Sequence, residues 1–131
     1  MAVKIERLAA KSVFNPPTYT QTMKVTGAQT ILFISGQVAY DEKGQAAHPG
    51  DFAAQAKATY AGLKAQVGAG GGTMSSIVKL TTYLVDIRHR VELASIPEEF
   101  FGKKAPASTL VGVTALAQPG WLIEVEAIAV I

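Results

Sequence analysis

The C-terminal segment constrains the fold more than any other part of the chain. From Trp121 to Ile131 the residues alternate, with Trp121, Ile123, Val125, Ala127, Ala129 and Ile131 in one phase and Leu122, Glu124, Glu126, Ile128 and Val130 in the other. Period-two alternation is the pattern of a β-strand. One face is wholly apolar, while the other sets two carboxylates among aliphatic side chains. A carboxylate in the middle of such a strand either looks into water or stands in a partly desolvated pocket. In the pocket its pKa rises toward the working range of a general acid or base. Both outcomes are open for Glu124, the first candidate catalytic residue.

The rest of the chain supplies the other elements. Val3 to Leu8 reads as an edge strand, ending in the rigid, extended Asn15-Pro16-Pro17. Tyr19, Gln21, Met23 and Val25 share one phase, Gly27-Ala28-Gln29 forms a turn, and Thr30 to Ala39 is strongly apolar, so this pair predicts a β-hairpin. Asp41 to Gly50 is a solvated loop. Asp51 can cap a helix in which Phe52, Ala56, Tyr60, Leu63 and Val67 recur at helical spacing, and the glycine run 68–72 ends it. That run is no phosphate-binding loop, because it follows a helix and lacks Gly-Lys-Ser/Thr. Ser76 to Val85 is a strand with Val78, Leu80, Thr82 and Leu84 on one face. Arg88-His89-Arg90 opens a polar turn, and Pro97 belongs in the first turn of a second helix running from about Ser95 through Phe101. Thr109 to Leu116 and the last strand are joined by Ala117-Gln118-Pro119-Gly120. This order predicts an α+β two-layer sandwich, a mixed β-sheet with two helices on one face.

Composition narrows what such a fold can do. With 131 residues and 49% hydrophobic content, the whole chain, 1–131, makes one domain around one core. Charged residues are 17%, below the roughly 25% of ordinary soluble domains, so part of the surface is expected to be covered by further copies of the chain. A net charge of +2 is too small for a dedicated nucleic-acid binder. The basic clusters Arg88-His89-Arg90 and Lys103-Lys104 also lack the interleaved aromatics that stack bases. Without cysteine there is no disulfide, thiolate nucleophile or cysteine zinc site. His48 and His89 have no partner at metal-ligand spacing and are expected on the surface. No Gly-x-Ser-x-Gly elbow offers an acyl-transfer nucleophile. No apolar run suits a secretory signal or a membrane span, so the cytoplasm is the expected compartment. Ser35-Gly36-Gln37 interrupts an apolar strand. It is either a β-bulge or a place where backbone closely approaches a small ligand.

Several segments, in order, resemble the YjgF/RidA family: Tyr19-Thr20-Gln21, Ile34-Ser35-Gly36-Gln37-Val38, Asp51-Phe52-Ala53-Ala54-Gln55, Ile77-Val78-Lys79-Leu80-Thr81, Phe100-Phe101, Pro106-Ala107 and the segment 123–129. The resemblance extends from about Ile5 to Val130. It implies a chorismate-mutase-like subunit and a homotrimer whose sheets form a central barrel, with small-molecule clefts between subunits. It also implies a cofactor-free and metal-free deaminase that hydrolyses enamines and imines such as 2-iminopropanoate to the 2-oxoacid and ammonia. Carried over to this chain, Tyr19 contributes its hydroxyl and ring to the cleft, Ser35 and Gly36 line it, and Glu124 holds or activates the attacking water.

The resemblance breaks at Ser108, which stands where the family motif Pro-Ala-Arg-Ser has its carboxylate-clamping arginine. Ala94, Arg90 and Pro97 depart from a family asparagine, aromatic and tyrosine. Each charge-assisted bond lost with an arginine is worth roughly 1.5–3 kcal/mol. Any replacement cation would come from Arg88, Arg90, Lys103 or Lys104. The expected function is a RidA-like small-molecule hydrolase or deaminase whose substrate differs from simple 2-imino acids. A non-catalytic trimer that binds a metabolite in the same cleft is the second expectation. The ribonuclease or translation-inhibitor role that some relatives carry would need basic residues along the cleft and an acid/base pair. Two isolated histidines do not supply that pair.

Overall fold

In the computed structural model, which describes residues 2–131, the C-terminal segment forms β6 (Ile123–Val130) inside a four-stranded sheet. The strand order is β3-β6-β4-β5, where β3 is Ile31–Gln37, β4 is Ile77–Leu84 and β5 is Ala107–Gly112. β6 is antiparallel to both neighbours, and β5 runs parallel to β4 at the far edge. The apolar phase of β6 packs against α1 (Phe52–Ala69), and Ile123, Val125 and Ala129 are fully buried there with Ala56, Leu63 and Val67 of the helix. The fold is thus α+β with helices on one face of a mixed sheet.

The helix starts and stops where its sequence dictates. The Asp51 carboxylate accepts the Ala54 N–H at 3.1 Å, filling one of the open donors of the first turn. At the other end Gly71 takes φ +91°, and Gly72 N–H donates to the Val67 carbonyl at 2.9 Å. Between them Gln55, fully buried, ties two loops to the helix. Its Nε2 donates to the carbonyls of Ala47 and Gly120 at 3.1 and 2.8 Å, and its Oε1 accepts the Leu122 N–H at 2.9 Å. The Trp121 indole N–H adds a bond to the Ala39 carbonyl at 3.0 Å. Together these contacts fix where β6 enters the sheet.

Four expectations are corrected. The hairpin does not form: β2 (Thr22–Thr26) pairs with β1 (Lys4–Leu8) as a separate antiparallel ribbon. The backbone N–H groups of Gln29 and Thr30 both donate to the Ile131 carbonyl, which swings β3 away from β2 and onto β6. In β4 a register shift between Ile77 and Lys79 puts Ile77 into the core and leaves Val78 half-buried, so the expected phase holds only from Leu80 onward. The second helix is two single turns, α2 (Arg90–Leu93) and α3 (Glu98–Phe101). Pro97 has no N–H to continue the ladder, and the chain restarts with Phe101 N–H donating to its carbonyl at 2.9 Å. Finally, β5 begins at Ala107 and ends at Gly112, where Thr109 to Leu116 is expected, and its passage to β6 crosses the end of β4. Among the described residues, no helix is long and apolar enough to cross a membrane.

Gln55→Leu keeps the side-chain volume but strands a buried N–H and two carbonyls, at a cost of about 2–4 kcal/mol. Thermal unfolding is expected to show Tm lowered by about 5 °C or more. A Tm within 2 °C of wild type, on the order of the ~0.5 kcal/mol of an ordinary surface change, would contradict the stapling role.

Candidate functional site

On the phase of β6 that points away from α1, Glu124, Glu126 and Ile128 are only half-buried, while Val130 at the end of the strand is buried. The cross-strand partners of this phase are Tyr83 opposite Glu124, Thr81 opposite Glu126, Phe33 opposite Ile128 and Ile31 opposite Val130. Phe33 is 78% exposed and Ile31 is 55% exposed, so a broad apolar area lies beside the two carboxylates. Of the two readings that the sequence left open for Ser35-Gly36-Gln37, the bulge is realised, and the group that comes close to Gly36 is a side chain of the same chain. The register slips between Ile34 and Gln37, which makes the bulge, and the Glu124 side chain lies directly over Gly36. A Cβ at residue 36 would stand 2.6 Å from Glu124 Cδ and 2.8 Å from its Cγ, so a larger residue there would displace the Glu124 side chain from this position.

The two glutamates are chemically unlike. The Tyr83 hydroxyl donates to the Glu126 carboxylate, and that bond is the main cause of the raised Tyr83 pKa, followed by desolvation and the charges of both glutamates. Glu124 accepts no hydrogen bond from any described side chain or backbone group. Burial, and then the charge of Glu126, push its carboxyl above the ordinary 4.5. Glu124 is therefore the free, proton-avid member of the pair, half-buried in an apolar surround. Tyr83 went unnoticed in the sequence, because its pairing with the two glutamates depends on a register that the sequence alone does not display.

A second feature lies between β5 and the short helices. A cleft of about 1000 Å³ has Tyr60, Leu80 and Thr82 in its lining, with Ser108 and Leu110 of β5 and Phe101 of α3. Burial pushes the Tyr60 hydroxyl up to about 12, so it stays a neutral donor. Tyr19 lines the same cleft, held by its neighbour. The Thr20 hydroxyl donates to the Ala105 carbonyl at 2.7 Å and the Thr20 N–H to Pro106 at 3.2 Å, clamping this segment along the edge of β5. Ser108 pairs with buried Leu80, so its side chain points to the helix side of the sheet.

The five residues read from the sequence therefore divide into two groups. Glu124, Ser35 and Gly36 gather on the sheet face away from α1, while Tyr19 and Ser108 line the cleft. The Tyr19–Thr20 segment lies beyond β5, three strand spacings or about 14 Å from β6. One chain alone does not bring Glu124 and Tyr19 together. His48 is exposed as expected, with φ +50°. His89 is not a plain surface residue: its ring stacks on Phe52 at 4.3 Å, and its Nδ1 is buried without a partner. Among the described residues no three His, Asp or Glu side chains cluster as metal ligands.

Fold and site together define a two-layer α+β protein with a cleft beside the sheet edge and a partly desolvated carboxylate on the sheet face away from α1. Comparison with known proteins gives that class its family. The family model described as Endoribonuclease L-PSP matches residues 13–131, and the chain belongs to this family, the YjgF/RidA family. A RutC family protein of Pyrococcus horikoshii is 34% identical over 111 residues, 85% of each chain. The 3-aminoacrylate deaminase RutC of Acinetobacter baylyi is 28% identical over 114 residues, 87% of this chain and 90% of that one. Among solved structures, the Rid-family protein YyfB of Yersinia pestis superposes with a TM-score of 0.85 over the whole of both chains at 27% identity.

Two measurements check the geometry at Glu124. Gly36→Ala is expected to cost under about 1 kcal/mol, because the half-exposed, unbonded Glu124 side chain rotates aside, and Glu124→Ser is expected to remove that cost in the double variant. An uncoupled pair would show that the carboxylate does not occupy the glycine's space. In a carboxyl NMR titration Glu124 is expected above 4.5, moving down in Glu126→Gln because one of its two causes is removed. The sign for stability follows. A raised carboxyl pKa means the folded state holds the proton more tightly, so the charge opposes folding above that pKa and ceases to do so as pH falls toward 4.5. Glu124→Gln is therefore expected to raise Tm near pH 7, with a smaller gain near pH 4. A lower Tm at both would contradict the desolvation.

Proposed function

We propose that this chain is a RidA-type deaminase that hydrolyses a small enamine, imine or related reactive compound at a site completed by a second copy of itself in a homotrimer. The observation that carries this reading is the placement of Glu124. It is a half-buried carboxylate with a raised pKa, without a hydrogen-bond donor, on the sheet face away from α1 beside the exposed Phe33 and Ile31. Packing that face against the cleft side of a neighbour would bury Phe33 and Ile31 and bring Tyr19 and Ser108 to the carboxylate. The deaminase names carried by relatives support the chemistry.

In the reaction so proposed, Glu124 as the carboxylate takes a proton from water while the oxygen attacks the imine carbon. Proton transfer to nitrogen gives a carbinolamine. Its C–N bond then breaks, releasing ammonia and leaving the carbonyl product, and Glu124 returns to its starting state. A carboxyl whose pKa lies above the usual range accepts and returns that proton more readily near neutral pH. No cofactor or metal is needed, because water is the only co-reactant. Ser108 offers a neutral hydroxyl to the substrate, which is why the preferred substrate is placed outside the simple 2-imino acids.

The test is to generate 2-iminopropanoate and 2-iminobutanoate in situ with an amino-acid oxidase, trap the imine with semicarbazide, and follow how far the protein suppresses trapping. Wild type is expected to act weakly, and Ser108→Arg to act at least about tenfold faster through a charge-assisted clamp on the carboxylate. Glu124→Gln in either background is expected to lose about 100-fold or more, in the range of general acid–base catalysis. Equal rates with and without Glu124 would overturn the mechanism. Silence of both wild type and Ser108→Arg, with the trimer intact, would favour the non-catalytic binding protein.

A further inference from the structure

The cleft at Ser108 carries charge that the sequence did not locate. Of the four cations near it in sequence, Arg88 is neutralised by Asp86, with Nη2 to Oδ2 at 2.7 Å and Nε to Oδ1 at 3.0 Å. Arg88 and Lys104 do not line the cleft, whereas Arg90 and Lys103 both do, on the wall made by α2 and the turn after α3. Neither Arg90 nor Lys103 has a hydrogen bond or ion pair to any described residue. Glu98 is the one acidic side chain in the lining, so the cleft has a net positive charge among its described residues. Its remaining surface is largely apolar, including Val91, Leu93, Phe101 and Leu110.

We propose that this cleft binds organic acids with a sizeable apolar body, the anionic group held by Arg90 and Lys103 on the helical wall. The carbon skeleton then lies across Phe101, Val91 and Leu110 toward Ser108, and the hydroxyls of Ser108 and Tyr19 serve its other end. Two unpartnered cations against one carboxylate favour a monoanion. The apolar wall of Val91, Phe101 and Leu110 offers more contact than a three- or four-carbon acid can make. This deepens the reading above and rests on the same cleft, but not on the chemistry at Glu124. It places the cations on α2 and on the turn after α3 rather than on β5, where Ser108 stands.

The experiment is a binding titration that needs no turnover, using 4-phenylbutanoate and its uncharged analogue 4-phenylbutanamide, followed by backbone amide NMR shifts at low salt. The acid is expected to bind at least about fivefold more tightly than the amide, with shifts at Val91, Phe101 and Leu110, and the preference is expected to shrink at high salt. Arg90→Gln/Lys103→Gln is expected to reduce acid binding to the level of the amide, while Lys104→Gln leaves it unchanged and a retained amide spectrum shows both fold normally. Equal binding of acid and amide, an unaffected double variant, or shifts confined to other residues would overturn the assignment. Imine hydrolysis without acid preference would sink this proposal and leave the deaminase reading. Acid binding that persists in protein with no hydrolytic activity would do the reverse.

Discussion

The burial of one phase of β6 against α1 is the constraint on which the rest of the subunit depends. Ile123 and Val125 are completely shielded from solvent, and together they supply about 3–6 kcal/mol of apolar burial. In a strand, fixing one phase fixes the other, since slipping by one residue would turn every side chain over. Glu124 and Glu126 are thereby held on the outer face, and no local adjustment can move them to the helical side. Gln55 secures this register by bonding Leu122 N–H immediately before the strand starts. A polar residue buried in the helix thus sets the position of a carboxylate on the far side of the sheet.

On that outer face the chemistry arises from an unequal sharing of donors. Tyr83 lies directly opposite Glu124 in the register, yet its hydroxyl reaches diagonally to Glu126. Glu126 therefore has a partner and Glu124 has none, while the charge of Glu126 adds to the cost of ionising its neighbour. Gly36 supplies the room for this arrangement by presenting bare backbone beneath the carboxylate. Two identical side chains two residues apart thus stand in different surroundings, one bonded to a tyrosine and the other lying over a glycine.

How much of this was legible in the sequence depended on whether the controlling interaction was local. The helix from Phe52, its aspartate cap and its glycine end follow from neighbouring residues, and all three are present. The alternation of the last strand likewise told which of its residues go inside. The β2–β3 hairpin failed because the competing interaction, from Gln29 and Thr30 to Ile131, spans the length of the chain. Ile77 entered the core through a bulge that no alternation pattern encodes. At the site, Glu124 and Gly36 were each singled out by local oddity, a charge in an apolar strand and a glycine in another. Their contact with each other, and the separation of both from Tyr19 and Ser108, follow from strand order alone.

That separation makes the central claim testable: the working site consists of the outer face of one copy and the cleft of another. Because the chain has no cysteine, single introduced thiols report contacts without background. Ser35→Cys and Ser108→Cys chains would be expressed separately, mixed under conditions that exchange subunits, and treated with a short bis-maleimide. The account predicts a covalent dimer joining the two kinds of chain, formed at dilutions where monomeric proteins do not cross-link. A protein that sediments as a monomer, or an oligomer that gives no Ser35→Cys to Ser108→Cys cross-link, would contradict it.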